Sequence, residues 1–327
     1  MKKRTLGQQK LEVSELGYGC MGLNHHRGPA KEPKEMARVV QEAFHQGVTM
    51  FDTAEVYGPY TNEILVGEAV KDFRKDIVLA TKGGFKIDGQ SNFPDSSKKT
   101  LRASLEGSLK RLQTDYIDLY YIHRVDPHTP IEEVAETIQQ FRKEGKIRHW
   151  GLSEASGDTI RKAHAIEPLT AIQSEYSIWW RALETDIFPI LEELGIGLVA
   201  YSPLGRGFLT GTMTKESIAN ENDNRAELPR FTQEAMAANQ GVLDLIYEIA
   251  KKKEATSAQI AIAWILAQRE WIVPIPGTTN NNRLTENNQA STIAFTKEEL
   301  SQMNQAVAAL TIVGDRSPQS EKERTGK

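Results

Sequence analysis

Short apolar runs alternate along this chain with stretches in which apolar residues recur every three or four positions. The first kind suits strands buried on both faces, and the second suits helices with one apolar side. A clear unit opens at Pro33, favoured at a first helical position. Met36, Val39, Val40, Ala43 and Phe44 then fall on one face, and Gly47 ends the pattern. Residues 48–52 follow as an apolar strand that runs into the carboxylate of Asp52. The unit repeats. Strands are predicted at 77–82, 116–122, 147–152, 170–173, 197–201 and 271–275, with a short glycine-bearing one at 16–20 ahead of them. Helices are predicted at 62–70, 101–112, 130–145, 186–194, 241–253 and 257–268, then from 281 and at 297–309. Eight buried strands alternating with helices, with no linker between them, predict an α/β fold, a single (β/α)8 TIM barrel; a doubly wound sheet is the weaker alternative.

Other segments depart from this rhythm. Residues 4–6 and 11–13 flank Gly7 and predict a short N-terminal β-hairpin. Residues 205–240 are polar and long for a connection, the profile of a functional lid or a disordered insert. From Asp315 the chain is charged and has no apolar face. The barrel with its extra C-terminal helices is therefore expected over residues 1–310, and a polar, disordered tail over 311–327. Gly17-Tyr18-Gly19-Cys20-Met21-Gly22 matches G-x-G-x-x-G, which binds a dinucleotide only where a helix opens on it. Here no helix begins before about Pro33, so that fingerprint is set aside.

Composition narrows the partners. With 40 basic and 44 acidic residues and a net charge of -4, the chain carries no footprint for nucleic acid or an anionic membrane. No apolar run approaches the roughly 20 residues that span a bilayer, and the basic start lacks the apolar core of a signal peptide. The single cysteine, Cys20, forms no internal disulfide and suits a reducing compartment. A cytoplasmic protein acting on small molecules is the expectation, and the sequence leaves its oligomeric state open.

In a barrel the C-terminal strand ends converge, which makes neighbours of Asp52, Lys82 and His123, with Tyr57 one loop beyond Asp52. A cation beside a phenol stabilises the anion left when the phenol gives up its proton, and Asp52 would keep a buried Lys82 charged. His123 would orient a substrate oxygen or relay a proton. Such a set suits proton delivery to a carbonyl oxygen. Taken singly, Asp52 with Lys82 also reads as a structural ion pair, Tyr57 as turn packing and His123 as a core histidine. Adjacent His25 and His26 lack the partners a metal site needs, so no metal is expected. Trp179 and Trp180 read equally as pocket walls or barrel caps, and Met21 and Phe85 are further pocket candidates.

The pattern Asp-x-Ala-x-x-Tyr-Gly around Asp52 and Tyr57, the strand ends at Lys82 and His123, Gly151-Leu152-Ser153 and the segment from Ile275 to Asn287 together resemble the aldo-keto reductase family. The resemblance spans nearly the whole chain. It implies a barrel that binds NADPH without a dinucleotide-binding sheet, NADH being possible but less favoured, and that reduces an aldehyde or ketone. It also implies a tetrad of Asp52, Tyr57, Lys82 and His123, with Tyr57 as general acid. By the same resemblance Ser153 and Gln173 hold the carboxamide, and Tyr201 stacks on the nicotinamide. Gly22 and the run Ser202, Pro203, Leu204, Gly205 and Gly207 approach the cofactor, the run wrapping its pyrophosphate. Gly277, Thr278 and Arg283 take the 2′-phosphate, with Glu286 and Asn287 on the adenine. The helix entrance at Thr278 to Arg283 supplies amide groups that attract phosphate. Gly277 stands where many members have lysine, and Glu154 where many have asparagine. The rivals are an NADPH-binding regulatory or redox-sensing subunit with slow turnover and a Schiff-base aldolase using Lys82.

Overall fold

The computed structural model describes residues 1–25, 31–89, 91–214, 218 and 223–318. An antiparallel hairpin of β1 (Lys3–Leu6) and β2 (Leu11–Ser14) opens the chain. The sheet that follows has eight parallel strands: β3 (Tyr18–Gly19), β4 (Met50–Asp52), β5 (Val78–Gly83), β8 (Ile117–Ile122), β9 (Ile147–Ser153), β10 (Ala171–Glu175), β11 (Gly197–Tyr201) and β12 (Ile272–Pro274). They neighbour one another in chain order. The two edges meet through Gly17 N–H to the Pro274 carbonyl (3.0 Å) and Gly19 N–H to the Pro276 carbonyl (3.4 Å), which closes the ring. This is the (β/α)8 barrel that the alternation predicts.

The crossover helices sit outside. They include α1 (Pro33–His45), α2 (Thr61–Val70), α3 (Lys98–Arg111), α4 (Ile131–Lys143), α5 (Gly157–Ile166), the pair α6 (Leu183–Asp186) and α7 (Phe188–Leu194), and α10 (Ser257–Gln268). Their starts follow local chemistry. Pro33 occupies the first turn of α1, Ser97 caps α3, and Thr256 with Gln259 forms a capping box on α10. One core fills the space between strands and helices. A second fills the ring itself, where Met50, Ala80, Leu119, Val199 and Val273 meet Leu6, Leu11 and Val13 of the hairpin. The hairpin therefore plugs the N-terminal mouth and leaves the C-terminal mouth for chemistry.

Three findings modify the sequence reading. A second hairpin, β6 (Phe85–Asp88) with β7 (Ser91–Pro94), follows β5 in a stretch to which the sequence assigned no element. In the 205–240 connection the described residues are structured: Phe208, Leu209, Leu228 and Phe231 are buried, and α8 (Gln233–Ala238) leads directly into α9 (Gln240–Lys252). Residues 215–217 and 219–222 lie outside the described residues. The third concerns the tail. Asn239 donates to the Val313 carbonyl (2.9 Å) and accepts its N–H (2.8 Å), Arg230 donates to the Gly314 carbonyl (3.1 Å), and Arg316 and Ser317 are pinned against the barrel mouth. Residues 313–316 are thus held to the barrel by hydrogen bonds, while residues 319–327 lie outside the described residues.

Candidate active site

Because parallel strands bring their C-terminal ends to one face, Asp52 at the end of β4, Lys82 near the end of β5, His123 just past β8 and Gln173 in β10 converge there. Lys82 is fully buried and ion-paired with Asp52. Its ammonium also donates to the Thr53 carbonyl (2.8 Å) and to the Tyr57 hydroxyl (3.4 Å), and lies 5.0 Å from the Tyr57 ring centre. Burial alone would strip its proton, yet the Asp52 carboxylate and the Tyr57 hydroxyl outweigh that and hold the Lys82 pKa above the ordinary lysine value. Asp52 is raised by burial, which Lys82 and Gln173 offset in part. The Gln173 amide donates to the second Asp52 oxygen (2.7 Å), so the side-chain carbonyl of Gln173 is the group left to face outward.

Tyr57 is half-buried on a turn whose ends are tied to the barrel: its N–H bonds the Ala54 carbonyl (3.1 Å), and its carbonyl accepts from Asn62 N–H (3.2 Å). Gly58, at φ +82°, reverses the chain, and its N–H donates to His25 Nδ1 (3.1 Å). His123 meets the Tyr57 ring edge-on, centres 5.8 Å apart, and the Phe85 ring at 5.1 Å. Burial, then Arg124 and Lys82, hold its pKa well below the usual histidine value, so His123 is a neutral imidazole. Its Nδ1 is buried without a hydrogen-bond partner among the described residues.

These groups open into a cavity of about 800 Å³. Tyr57, Asp52 and His123 line it beside Met21 and Phe85; Lys82 lies behind them. Gly22, Ser153, Gln173, Tyr201, Ser202, Pro203, Leu204 and Gly207 also line it, as do Gly277, Thr278, Arg283, Glu286 and Asn287. Gly205 stands just behind the wall at φ +55°, packed on Trp179. Gly277 approaches the neighbouring chain so closely that a Cβ there would lie 2.4 Å from the Gly19 carbonyl oxygen, which accounts for glycine at this position. The helix entrance differs from expectation. The Asn280 side chain caps α11 (Asn281–Gln289) and already accepts the N–H groups of Asn282 (2.9 Å) and Arg283 (3.1 Å). Those amides are spent, and the exposed Arg283 guanidinium, without an ion-pair partner among the described residues, is the group left to meet an anion.

The two tryptophans are not pocket walls. Trp179 is buried and stacked on Phe208 at 4.3 Å, and Trp180 lies under the guanidinium groups of Arg230 (5.2 Å) and Arg316 (5.0 Å). Conversely, His25, Arg124, Arg206, Arg225 and Arg316 line the cavity although no sequence pattern marks them as cavity residues. His26 lies outside the described residues, and among the described residues no cluster of metal-ligating side chains occurs. Glu154, at φ +55°, turns its carboxylate into a knot: Arg316 binds it with two nitrogens (2.8 and 2.7 Å), and Tyr201 Oη and the Glu175 N–H each donate to it (2.8 and 2.9 Å). Despite burial, Arg316 foremost, then Arg124 and the Glu175 N–H, hold its pKa down at about 2.

Comparison with known proteins agrees with this geometry. The family model described as "Aldo/keto reductase family" matches residues 15–308. A probable aldo-keto reductase of Glycine max is 45% identical over 316 residues, covering 95% of this chain and 90% of that protein. Among solved structures, a glycerol dehydrogenase from Gluconobacter oxydans superposes with a TM-score of 0.86 at 26% identity, covering 96% of this chain and 97% of the other. An aldo-keto reductase from Bacillus halodurans, solved in a holo form, gives 0.78 at 30% identity, covering 97% and 99%.

Proposed function

This chain belongs to the aldo/keto reductase family and is an NAD(P)H-dependent oxidoreductase, and we propose that it reduces an aldehyde or ketone to the alcohol, preferring NADPH, with Tyr57 as proton donor. The observation that carries this reading is the buried, Asp52-paired Lys82 ammonium 3.4 Å from the half-buried hydroxyl of Tyr57 on the cavity wall. When bound, the reduced nicotinamide would supply a hydride to the carbonyl carbon. Tyr57 Oη gives its proton to the carbonyl oxygen, and Lys82 stabilises the phenolate that remains. Asp52 keeps Lys82 charged and positioned. His123, neutral and set edge-on to Tyr57, orients the carbonyl oxygen from the other side of the cavity.

The residues present fit a dinucleotide. Gly205, Arg206 and Gly207 form three consecutive positions of positive φ after β11, a backbone shape that curls around an anionic oxygen. Tyr201 at the end of β11 presents a ring held by its hydroxyl on Glu154. Ser153 and the outward carbonyl of Gln173 suit a carboxamide, Asn287 and Glu286 an adenine edge, and Arg283 with Thr278 a 2′-phosphate. A guanidinium gains far more from a phosphate than from a ribose hydroxyl, which favours NADPH over NADH. We read the compartment as cytoplasmic, because the single cysteine is free and buried and no helix among the described residues is long and apolar enough to cross a membrane.

The test is a panel of aldehydes and ketones followed by loss of NADPH absorbance, with NADH in parallel. Turnover that depends on NADPH and collapses in Tyr57→Phe is the expected result; no NADPH oxidation across the panel, or unchanged rates in Tyr57→Phe, contradicts the reading.

A further inference from the structure

Five arginines line the cavity, and four of them are accounted for. Arg206 pairs with Glu175 at 3.0 Å, Arg225 with Asp223, and Arg316 with Glu154, while Arg283 is exposed in the first turn of α11, where a 2′-phosphate is proposed above. Arg124 is the remainder. It follows His123 directly, and its guanidinium makes its hydrogen bonds through one nitrogen: Nη1 donates to the His123 carbonyl (2.7 Å) and to Ser153 Oγ (3.1 Å). Its Nε and Nη2 have no partner among the described residues, and neither is a buried orphan, so both are open to the cavity.

The acids within reach are occupied. Asp52 holds Lys82 and Gln173, and Glu154 is saturated by Arg316, Tyr201 Oη and the Glu175 amide. Asp126 turns toward Ser96 N–H (2.9 Å), His128 N–H (2.8 Å) and the Thr129 hydroxyl (2.7 Å). Arg124 has no ion-pair partner among the described residues, so it presents a positive charge beside the proposed carbonyl site. A planar guanidinium with two free donors in a partly enclosed cavity matches the two oxygens of a carboxylate. A single guanidinium with two free donors suits that monoanion better than a doubly charged phosphate.

We propose that the enzyme selects carbonyl compounds that carry a carboxylate, and that Arg124 binds that carboxylate while the carbonyl lies against Tyr57 and His123. The proposal rests on the reductase reading given above. Its test compares 4-oxobutanoate, 5-oxopentanoate and 4-carboxybenzaldehyde, each against its own methyl ester, in the wild type, Arg124→Gln and Arg124→Lys. For at least one acid the wild type should show a kcat/KM about ten- to a hundred-fold above the ester, the span of a hydrogen bond to a charged group. Arg124→Gln should erase that preference mainly through KM, and Arg124→Lys should restore part of it. The proposal is overturned if no acid is preferred by the wild type, if Arg124→Gln lowers acid and ester alike, or if its loss is matched by a rise in the NADPH Kd measured by fluorescence, which would assign Arg124 to the cofactor. Turnover of the esters without acid preference removes this inference and leaves the reductase reading standing; no turnover of either class with NADPH removes both.

Discussion

The two ends of the cavity are built on opposite plans. At the Tyr57 end the charges of the tetrad are answered inside the protein: Lys82 is buried on Asp52, Asp52 also takes the Gln173 amide, and the Tyr57 turn is tied down at both sides. At the far end Arg283 stands exposed on the first turn of α11, and the nearby amides that would have helped it are already capped by Asn280. The first end is organised before any ligand arrives, as a site for chemistry must be. The second holds its charge in reserve for a ligand. The contrast implies that substitutions at one end change rate and those at the other change affinity.

The largest effect should come from Tyr57→Phe, which removes the proton donor and keeps the ring. A fall in kcat of about 10²- to 10⁴-fold, the worth of a positioned acid, is expected in the NADPH absorbance assay. Next comes Asp52→Ala, which leaves the Lys82 ammonium buried without its partner; urea unfolding should show a loss of about 3–5 kcal/mol. Arg283→Ala should then raise the Kd for NADPH about ten- to a hundred-fold by fluorescence titration while shifting the NADH value much less. Equal shifts for the two cofactors would erase the distinction drawn for the far end. Smallest is Glu154→Gln, which sharpens the middle of the cavity. The Glu154 pKa is depressed from 4.5 to about 2 in the folded protein, so its stabilisation is complete above the unfolded value and is lost as pH falls from about 4.5 toward 2. Urea midpoints should place the variant below the wild type by about 1–3 kcal/mol at pH 7, with the gap narrowing below pH 4.5.

What could be read from the sequence divides along physical lines. Asp52, Lys82, His123, Gln173 and Tyr201 each end or nearly end a buried apolar strand, and barrel topology turns that local position into proximity. The hairpin β6–β7 escaped because its alternation is masked by polar residues such as Lys86, Asn92 and Ser91. The Arg316–Glu154 pair escaped for a stronger reason: its members are 162 residues apart, and nothing periodic links a charged tail to a residue at the end of β9. Trp179 and Trp180 read equally as pocket walls or barrel caps because tryptophan serves both core and pocket, and only packing against Phe208 or beneath Arg230 decides between them. The spent amides of α11 were hidden too, since Asn280 reads equally as a loop residue or a cap.

If the two ends work independently, their free energies must add. The decisive measurement is kcat/KM for NADPH in Tyr57→Phe, Arg283→Ala and the double variant, at a fixed saturating aldehyde. The double variant should lose the product of the two single losses, within about two-fold. A double variant no worse than Tyr57→Phe alone would show that both side chains serve one step, and would contradict the division of the cavity into a chemical end and a binding end.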